Sequence, residues 1–349
     1  MRAALLRGAR DVALVEVPRP EPGPGEVVLR IDAALTCGTD AKVWRRGSHA
    51  RMLVPPCLIG HEYTGTVAAV GAGVTTVREG DAVVGGNSAP CGACPACRAG
   101  REALCDDLLF VNGAFAEWLL VPARIVARNL YARPASLAAV PAAATEPVAC
   151  VLKGVEVLDA RAGESVLLLG SGPIALVFAV ELLARGARPV LFARGAAAEG
   201  RARRMGVAEI VTAPNLADAR DALVAASPCG RGFDAVVEAA GAAETSQAAP
   251  GLAAKGGRVL LFGGCAADVR VTWSPARLHY DEIAVLSSFH HTPRHVRAAL
   301  DALATGRIDV TPLLEAPVGL EGVQDALARM SARELRGKVP VLPGAAGSP

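Results

Sequence analysis

The sequence is poor in aromatic residues, which occupy 4% of its 349 positions. Proteins that bind single-stranded nucleic acids stack the bases on aromatic side chains, so this scarcity argues against such a ligand. A surplus of positive charge is also missing, because 36 Lys and Arg residues face 34 Asp and Glu residues. Proteins that bind nucleic-acid phosphates usually have a basic excess. We therefore expect no nucleic-acid partner.

Long apolar stretches are missing as well, although 52% of the residues are hydrophobic. No uncharged run approaches the roughly 18 residues that a membrane-spanning helix needs. The apolar start of the chain, Met1 to Gly8, is too short for a signal peptide. We expect a cytoplasmic protein with no membrane partner. At roughly 150 residues per domain, the length predicts two domains, each able to bury its own core.

The order of short apolar segments predicts a β-rich region, an α/β region and a return to the first. Residues 1–145 contain short strands bounded by Gly or Pro, typical of an irregular, barrel-like β domain. From about residue 161, uninterrupted apolar strands alternate with helices, which predicts a parallel sheet covered on both faces. The predicted strands are 11–17, 26–34, 64–70, 81–84, 115–121, 165–169, 189–193, 209–212, 233–238, 257–263 and 338–342, and the predicted helices are 174–185, 199–205, 216–226, 244–254, 294–304 and 320–330. The fold class is α/β, with predicted domains at 1–145, 146–285 and 286–349, the last returning to the first domain.

A glycine-rich loop follows the apolar run 165–169 and opens the next predicted helix. In the pattern Gly170-x-Gly172-x-x-Ala175, the first glycine permits a tight turn and the second allows backbone to approach a pyrophosphate. The third position needs only a small residue, and the helix N-terminus offers free N–H groups to phosphate. The plainer alternative is an ordinary strand-to-helix turn. The position of the loop within several βα units favours a dinucleotide site.

Four cysteines lie within fifteen residues, at Cys91, Cys94, Cys97 and Cys105. In a reducing compartment, such clustered cysteines are more often metal ligands than disulfides. Four thiolates suit a closed, structural Zn²⁺ site, which would hold a lobe at about 90–107. An iron–sulfur cluster is the competing interpretation, but its common spacing places the fourth cysteine three residues after the third and before a proline.

Three separated segments supply candidate catalytic residues. Cys37 follows a predicted strand, His61-Glu62 follows Pro55-Pro56, and Glu146 lies just before the nucleotide domain. Together they would give the mixed sulfur, nitrogen and oxygen shell of a catalytic zinc, with the carboxylate from either glutamate. Taken singly, each has a plainer interpretation: a small buried cysteine, a hydrogen-bonded core histidine and a helix-start carboxylate.

The whole chain resembles the zinc-containing medium-chain dehydrogenase/reductase family, nearest its sorbitol and threonine dehydrogenase branch. The resemblance is based on Gly60-His61-Glu62-x-x-Gly65-x-Val67, Cys37-Gly38-Thr39-Asp40, the four-cysteine lobe, Glu146-Pro147 and the Gly170 loop. It implies a GroES-like catalytic domain, a Rossmann nucleotide-binding domain, two zinc ions (one catalytic, one structural) and a homodimer or homotetramer.

The resemblance also implies roles for individual residues. Cys37, His61 and Glu62 would bind the catalytic zinc, with Glu146 as a fourth ligand or hydrogen-bonded to a zinc water. Thr39 matches the hydroxyl that passes the substrate proton outward. Pro173 and Ile174 at the start of the helix, and Phe289 near the substrate end, are assigned to the cofactor.

Two departures from the family pattern stand out. Many relatives have a histidine as the outer proton relay five residues after the zinc cysteine, where this chain has Lys42. The relay would then differ or run through Lys42 or His49. Sorbitol dehydrogenases have an arginine where this chain has His290, which loosens the polyol assignment. His290 and His291 would contact substrate or be surface or outer histidines.

We predict the reversible oxidation of a secondary alcohol to a ketone, with hydride transfer to a nicotinamide and zinc as Lewis acid. The first choice of substrate is a polyol, sugar or cyclitol, and the runner-up is a 3-hydroxy amino acid such as threonine. Two other classes remain open: a non-catalytic nucleotide-binding relative and a zinc-ribbon nucleic-acid binder. The near-zero net charge opposes the second.

The cofactor prediction depends on the end of the second strand of the nucleotide domain. NAD-binding members have an acidic residue there, which accepts the ribose hydroxyls. Counting back from Gly206 places Ala193 at that position, followed by Arg194. An arginine can hold a 2′-phosphate by two charge-assisted hydrogen bonds, so NADP(H) is predicted to be preferred and NAD(H) remains possible.

Overall fold

The computed structural model describes residues 1–48 and 53–344, so the candidate relay residue His49 lies outside the described part of the chain. The chain divides into two compact units. The first consists of Met1–Ala149, His291–Gly306 and Leu313–Pro349, and the second of Cys150–His290 and Arg307–Pro312. The second unit is therefore an insertion within the sequence of the first.

The first stretch of chain is built from short strands joined by short helices. Its elements are β1 (Arg2–Gly8), β2 (Asp11–Glu16), β3 (Val27–Leu35), α1 (Gly38–Arg46), β4 (Cys57–Leu58), β5 (Glu62–Val70), β6 (Ala82–Gly85), β7 (Ser88–Ala89), α2 (Pro95–Arg98), β8 (Leu109–Phe110), β9 (Trp118–Val121), α3 (Ala123–Asn129), β10 (Leu130–Ala132) and α4 (Ala139–Ala142). The next helix, α5 (Thr145–Leu158), contains the point where the second unit begins.

Strands and helices alternate in the second unit, as β11 (Ser165–Leu169), α6 (Pro173–Ala184), β12 (Arg188–Ala193), α7 (Ala196–Arg204), β13 (Glu209–Thr212), α8 (Leu216–Ala226), β14 (Phe233–Glu238), α9 (Ala243–Leu252), β15 (Ala253–Leu261), α10 (Pro275–Tyr280) and β16 (Ala284–Ser287). The chain then completes the first unit with α11 (Pro293–Ala304), α12 (Val323–Ser331) and β17 (Pro340–Val341). Single 3₁₀ turns occupy Glu102–Leu104, Pro228–Gly230, Thr311–Leu313 and Leu320–Gly322.

The first unit is an antiparallel β structure around one apolar core. Its largest sheet has the order β10-β6-β5-β3-β17, with β9 also paired to β3, and a second sheet has the order β2-β1-β4. The core between them includes Leu29, Tyr63 and Phe115, each at most 1% exposed. The central strand β3 therefore has both β5 and the C-terminal β17 as neighbours near its end, where Cys37 follows.

Gly60, just before β5, shows why one glycine of the family motif is required. Its φ is +94°, and a Cβ atom there would lie 2.6 Å from the Phe115 ring. A left-handed φ and a missing side chain are both properties of glycine. The turn before His61 therefore packs tightly against the core, and a residue larger than glycine at this position would require Phe115 to move.

The second unit is a six-stranded, wholly parallel sheet with the order β13-β12-β11-β14-β15-β16. Every residue of β11 is buried, as expected for a strand covered on both faces. The order reverses direction between β11 and β14, which is where doubly wound sheets bind dinucleotides. The predicted Rossmann arrangement is confirmed.

Some boundaries differ from the prediction for identifiable reasons. Strand β15 begins at Ala253, earlier than the predicted residue 257, because Ala253 pairs with Phe233 and a register shift absorbs Gly256 with φ +73°. The predicted helix 320–330 begins with a 3₁₀ turn before α12. The predicted final strand, 338–342, is reduced to β17, which pairs with β3 over two residues.

Candidate functional site

The pairing of β3 with β5 brings two distant segments of the first unit together. Leu35, the last residue of β3, lies opposite Glu62, the first residue of β5. Cys37 follows β3 by two residues, and His61 directly precedes β5. The ligand atoms of Cys37, His61 and Glu62 all lie within 4.8 Å of one another. The sulfur, nitrogen and oxygen donors predicted for a catalytic zinc are therefore neighbours.

Asp40, in the first turn of α1, orients both the cysteine and the histidine. Its Oδ2 accepts the backbone N–H of Cys37 at 2.8 Å, and its Oδ1 lies 3.2 Å from Nδ1 of His61. Because Nδ1 faces this carboxylate, Nε2 is the imidazole nitrogen left for a metal. A carboxylate behind a metal-binding histidine is a common arrangement at zinc sites. Asp40 and His61 are both buried, and this carboxylate–histidine pair fits a zinc ion, as the three donor atoms also do.

The surroundings of Cys37 lower the pKa of its thiol, and the thiolate is the form that binds a metal. Burial raises the pKa of Cys37, but a hydrogen bond with His61 and the charge of Lys338 outweigh burial and lower the pKa to about 7. Burial also lowers the pKa of His61, while the Asp40 carboxylate and Cys37 raise it to well above its usual value.

Lys338 is a member of this site that the sequence did not reveal. Its Nζ lies 2.6 Å from Oε1 and 2.7 Å from Oε2 of Glu62, and it donates to the Thr36 carbonyl oxygen at 3.3 Å. The only signal in the sequence is a charged residue at the start of the predicted strand 338–342. Burial lowers the pKa of Lys338, but the negative charges of Glu62 and Cys37 outweigh burial and raise it.

Glu146 lies in the first turn of α5 and is 6% exposed. Burial has the largest influence on the pKa values of Glu62 and Lys338, and the negative charge of Glu146 contributes to raising both. Its Oε1 lies 3.9 Å from Nε2 of His291, and that nitrogen is 3.0 Å from Oδ1 of buried Asn87. His291 is thus a buried residue next to Glu146 and not a surface histidine. After Lys338, Asn87 is the second residue of this region that the sequence analysis did not identify.

The remaining candidates, Thr39, Lys42, Phe289 and His290, lie on helix α1 or in the second unit. Thr39 is the second residue of α1 and is half-buried, and Lys42 lies one turn further along the same helix. Phe289 belongs to the second unit, is 37% exposed, and its carbonyl accepts a hydrogen bond from Lys153 Nζ at 2.8 Å. His290 has a left-handed φ of +60°, and the centroid of its ring lies 5.6 Å from that of the Phe289 ring.

The glycine-rich loop has the geometry expected of a phosphate-binding turn. Gly170 has a φ of +132°, and a Cβ atom there would lie 3.3 Å from the Ala240 nitrogen. Gly172 caps α6 and faces open space, because nothing lies within 4 Å of the position of its missing Cβ. Pro173 and Ile174 form the first turn of α6, and Ala175 is buried against the sheet. The backbone at Gly172 is therefore accessible to a ligand at the helix N-terminus.

At the neighbouring strand, β12 ends at buried Ala193 and Arg194 follows as an exposed residue. The position after the second strand thus has no acidic residue. Arg203 on α7 donates to Glu199 at 2.8 Å, so its charge is locally balanced. This balance reduces the positive potential that Arg203 contributes near Arg194.

The four cysteines of the lobe converge as predicted. Their sulfur atoms all lie within 4.8 Å of one another, with Cys91 and Cys97 4.0 Å apart and Cys94 and Cys105 3.9 Å apart. Backbone N–H groups of Ala93 and Cys94 point at Cys91 Sγ, each at 3.3 Å, and lower the pKa of Cys91 to about 6. Four sulfurs at such separations fit the closed tetrahedral shell of a structural zinc ion.

Comparison with known proteins supports these features. The alcohol dehydrogenase GroES-like domain matches residues 23–130, and the zinc-binding dehydrogenase domain matches residues 173–305. The chain belongs to the zinc-containing medium-chain dehydrogenase family. A D-altritol 5-dehydrogenase of Agrobacterium fabrum is 34% identical over 304 residues, covering 84% of each chain. An L-threonine 3-dehydrogenase of Rhizobium johnstonii is 28% identical and covers 95% of each chain.

Solved structures agree with this membership. A zinc-binding dehydrogenase of Sinorhizobium meliloti 1021 bound to NADP has a TM-score of 0.88 and 32% identity, covering 98% of this chain and 99% of that one. The predicted GroES-like domain and Rossmann domain are both confirmed.

As a member of this family, the chain is a zinc-dependent enzyme that oxidises or reduces small alcohols and ketones with NAD(P). The non-catalytic and nucleic-acid alternatives are therefore wrong. In residues 1–48 and 53–344, no helix is both long and apolar enough to span a membrane.

The four-cysteine lobe generates a prediction about stability. Cys94→Ser should remove one zinc ion per chain, lower zinc affinity at least about 10-fold and lower the melting temperature, because the lobe has few other contacts. Elemental analysis and thermal unfolding measure both effects. Cys229→Ser is the matched control, since Cys229 is exposed in the second unit and should change neither quantity. A Cys94→Ser protein with full zinc content and an unchanged melting temperature would show that the lobe does not bind metal.

Proposed function

We propose that this chain oxidises a secondary hydroxyl of a polyhydroxylated alcohol (a polyol, sugar or cyclitol) to a ketone, preferably with NADP⁺, in the cytoplasm. The observation that supports it is the cluster of half-buried Cys37 with buried His61 and Glu62, in a chain related to an altritol dehydrogenase. Residues 1–145 and 286–349 would form the catalytic domain, and residues 146–285 the cofactor domain.

The roles proposed for the site residues follow from their positions. Cys37, His61 and a glutamate would hold zinc, which would act as a Lewis acid and lower the pKa of the alcohol hydroxyl. Thr39, half-buried in the first turn of α1, accepts the hydroxyl proton and passes it toward solvent, with Lys42 or His49 as the outer step. The hydride leaves the carbinol carbon for the nicotinamide, so that the alcohol loses two electrons and the cofactor gains them.

A 3-hydroxy amino acid is the second candidate substrate, because the threonine dehydrogenase relative matches over nearly the whole chain. The two classes differ in charge, since an amino acid brings a carboxylate and an ammonium group and a polyol brings neither. Steady-state kinetics of the purified protein on polyols, cyclitols and L-threonine separate them. We expect the highest kcat/KM with a polyol or cyclitol, and a higher value with threonine would contradict the substrate class.

The matched variant for this assay is Glu146→Ala, which removes a carboxylate proposed to bind or support the catalytic zinc. Turnover or catalytic zinc content should fall by about 10-fold or more, the scale seen when metal-site partners are removed. Unchanged kinetics and unchanged metal content would remove Glu146 from the site.

The cofactor preference follows from the end of β12. An acidic residue at Ala193 would repel a 2′-phosphate, and like charges at such contacts cost several kcal/mol. Arg194, which is exposed directly after the strand, would bind that phosphate. We expect a higher kcat/KM with NADP⁺ than with NAD⁺, and Arg194→Ala should weaken NADP(H) more than NAD(H). Arg204→Ala, on the end of α7, is the control for a general loss of positive charge. A preference for NAD⁺ in the wild type would contradict the assignment.

We also propose that the chain is a homodimer or homotetramer. Strand β16 is an outer strand of the parallel sheet and is formed by Ala284–Ser287, without lysine or proline to protect it. Unprotected strand edges pair readily with another chain, and Tyr280 just before it is 79% exposed. Light scattering should give the mass of two or four chains, with smaller species for Leu286→Lys but not for the exposed control Leu14→Lys. A wild-type mass of one chain would contradict the proposal.

A further inference from the structure

Glu238 is a completely buried residue at the C-terminal end of β14 that takes no part in the proposed chemistry. Its Oε1 accepts three hydrogen bonds, from the Ala240 N–H at 3.0 Å, the Gly241 N–H at 2.9 Å and the Thr245 hydroxyl at 2.6 Å. Its Oε2 is also buried and has no hydrogen-bond partner among the residues that the structure describes. Burying such a group is costly, and an apolar side chain at this position would avoid the cost.

The three donors all belong to the turn between β14 and α9 or to the first turn of that helix. Ala240 and Gly241 lie in the connecting turn, where Gly241 has a left-handed φ of +64°, and Thr245 is the third residue of α9. The residue before the helix, Ala242, has no side chain that could cap it. The carboxyl group of Glu238 therefore acts in place of a cap, because it joins the turn to the start of the helix.

The same turn packs directly against the glycine-rich loop. The Ala239 N–H donates to the Leu169 carbonyl oxygen at 3.0 Å. A Cβ atom on Gly170 would lie 3.3 Å from the Ala240 nitrogen, so the backbones of the loop and the turn are in close contact. These two connections flank the point where the strand order reverses, and dinucleotides bind in the crevice at such a point. A shift of the turn would therefore disturb one wall of the cofactor site.

The end of β15 encloses the carboxyl group from the other side. The N–H groups of Phe262 and Gly263 both donate to the backbone carbonyl oxygen of Glu238, at 3.0 Å and 2.8 Å. A Cβ atom on Gly263 would lie 2.2 Å from the Gly241 nitrogen and 2.7 Å from Oε2 of Glu238. Truncation of Glu238 would therefore leave a cavity beneath the turn and remove the acceptor of two turn N–H groups.

We infer that Glu238 is a positioning residue for the dinucleotide site, whose carboxyl group holds the β14–α9 turn against the glycine-rich loop in the shape that the cofactor requires. The inference goes beyond the proposed substrate and does not depend on it, because every residue that carries it belongs to the second unit. It is also independent of the preference for NADP(H), since both cofactors have the same pyrophosphate and nicotinamide and differ at the 2′-phosphate.

The hydrogen-bond acceptor matters for this role more than the charge does. Burial raises the pKa of Glu238, and the Thr245 hydroxyl and the turn N–H groups lower it by less. A neutral amide oxygen can accept the same three hydrogen bonds. Glu238→Gln is therefore the conservative variant, whereas Glu238→Ala removes the acceptor.

Asp234 provides a matched control on the same strand. Its Oδ2 accepts the backbone N–H and the hydroxyl of Ser165, each at 2.8 Å. Like Glu238, it accepts hydrogen bonds from a backbone and a hydroxyl group, but it lies near the start of β14, at the edge of the sheet opposite the glycine-rich loop. Asp234→Ala should lower the melting temperature without weakening cofactor binding.

The test measures the Kd of NADPH and of NADH by nicotinamide fluorescence, together with the melting temperature and kcat at saturating cofactor. We expect Glu238→Ala to raise both Kd values about 10-fold or more, because the unpaired turn no longer keeps its shape. Its kcat should stay within a few-fold of the wild type, since the proposed zinc ligands belong to the first unit. Glu238→Gln should restore both Kd values to nearly those of the wild type.

Unchanged Kd values in Glu238→Ala would overturn the inference. An equal increase in Asp234→Ala would also overturn it, because it would indicate a general loss of stability, and so would a Glu238→Gln protein that binds as weakly as Glu238→Ala. If Glu238→Ala does not fold, Thr245→Val removes one of the three donors at nearly constant shape. It should raise both Kd values about 3-fold or more, the scale of one hydrogen bond, and unchanged values would overturn the inference.

The Kd measurements need no alcohol substrate, so they remain valid if the proposed substrate class is wrong. Failure of the proposed function is seen separately, as wild-type protein that binds NADPH or NADH but turns over none of the alcohols tested.

Discussion

The register between β3 and β5 is the constraint on which the proposed metal site depends. It sets Leu35 opposite Glu62, and so determines that the residues just outside the two strands, Cys37 and His61, lie side by side. A shift of one residue would turn Glu62 from the site to the other face of the sheet, because side chains alternate along a strand. The pairing of Pro340 in β17 with Leu35 adds the third component, since it holds Lys338 two residues away. Three segments from both ends of the chain therefore meet at one strand end.

Charge balance explains why this cluster can be buried. Asp40, Glu62 and Glu146 are buried acids, and each would be costly if left alone in a medium of low polarity. Lys338 balances Glu62, and the imidazole of His61 faces Asp40. A zinc ion adds two positive charges to a cluster that otherwise has a surplus of acids and a thiol of lowered pKa. The charges of these side chains would therefore favour a bound cation.

The sequence predicts the second unit better than the first because its signals are local. The bounds of β11, β13, β14 and α8 agree with the predicted ones, since long apolar strands and the glycine loop are visible in short windows. Helix α1 was not predicted: it is nine residues long, and its start is fixed by Asp40, which accepts the backbone N–H of the N-cap residue Cys37. The start of α5 was indicated by the helix-start carboxylate of Glu146, but its extent to Leu158 was not predicted. Lys338 could not be predicted, because its partner is 276 residues away.

The two proposed zinc sites differ in the same way. Of residues 91–107, all of which the structure describes, only Ala103 and Cys105 are buried, so the lobe has almost no apolar core of its own. Its four identical ligands are close in sequence, and their spacing alone indicates a metal. The catalytic cluster has different ligand types from separate elements, each of which is ordinary by itself. These ligands come together only when β3, β5, α5 and the C-terminal segment fold. The lobe would therefore depend on zinc for its structure, whereas the catalytic cluster would depend on the fold to bind its zinc.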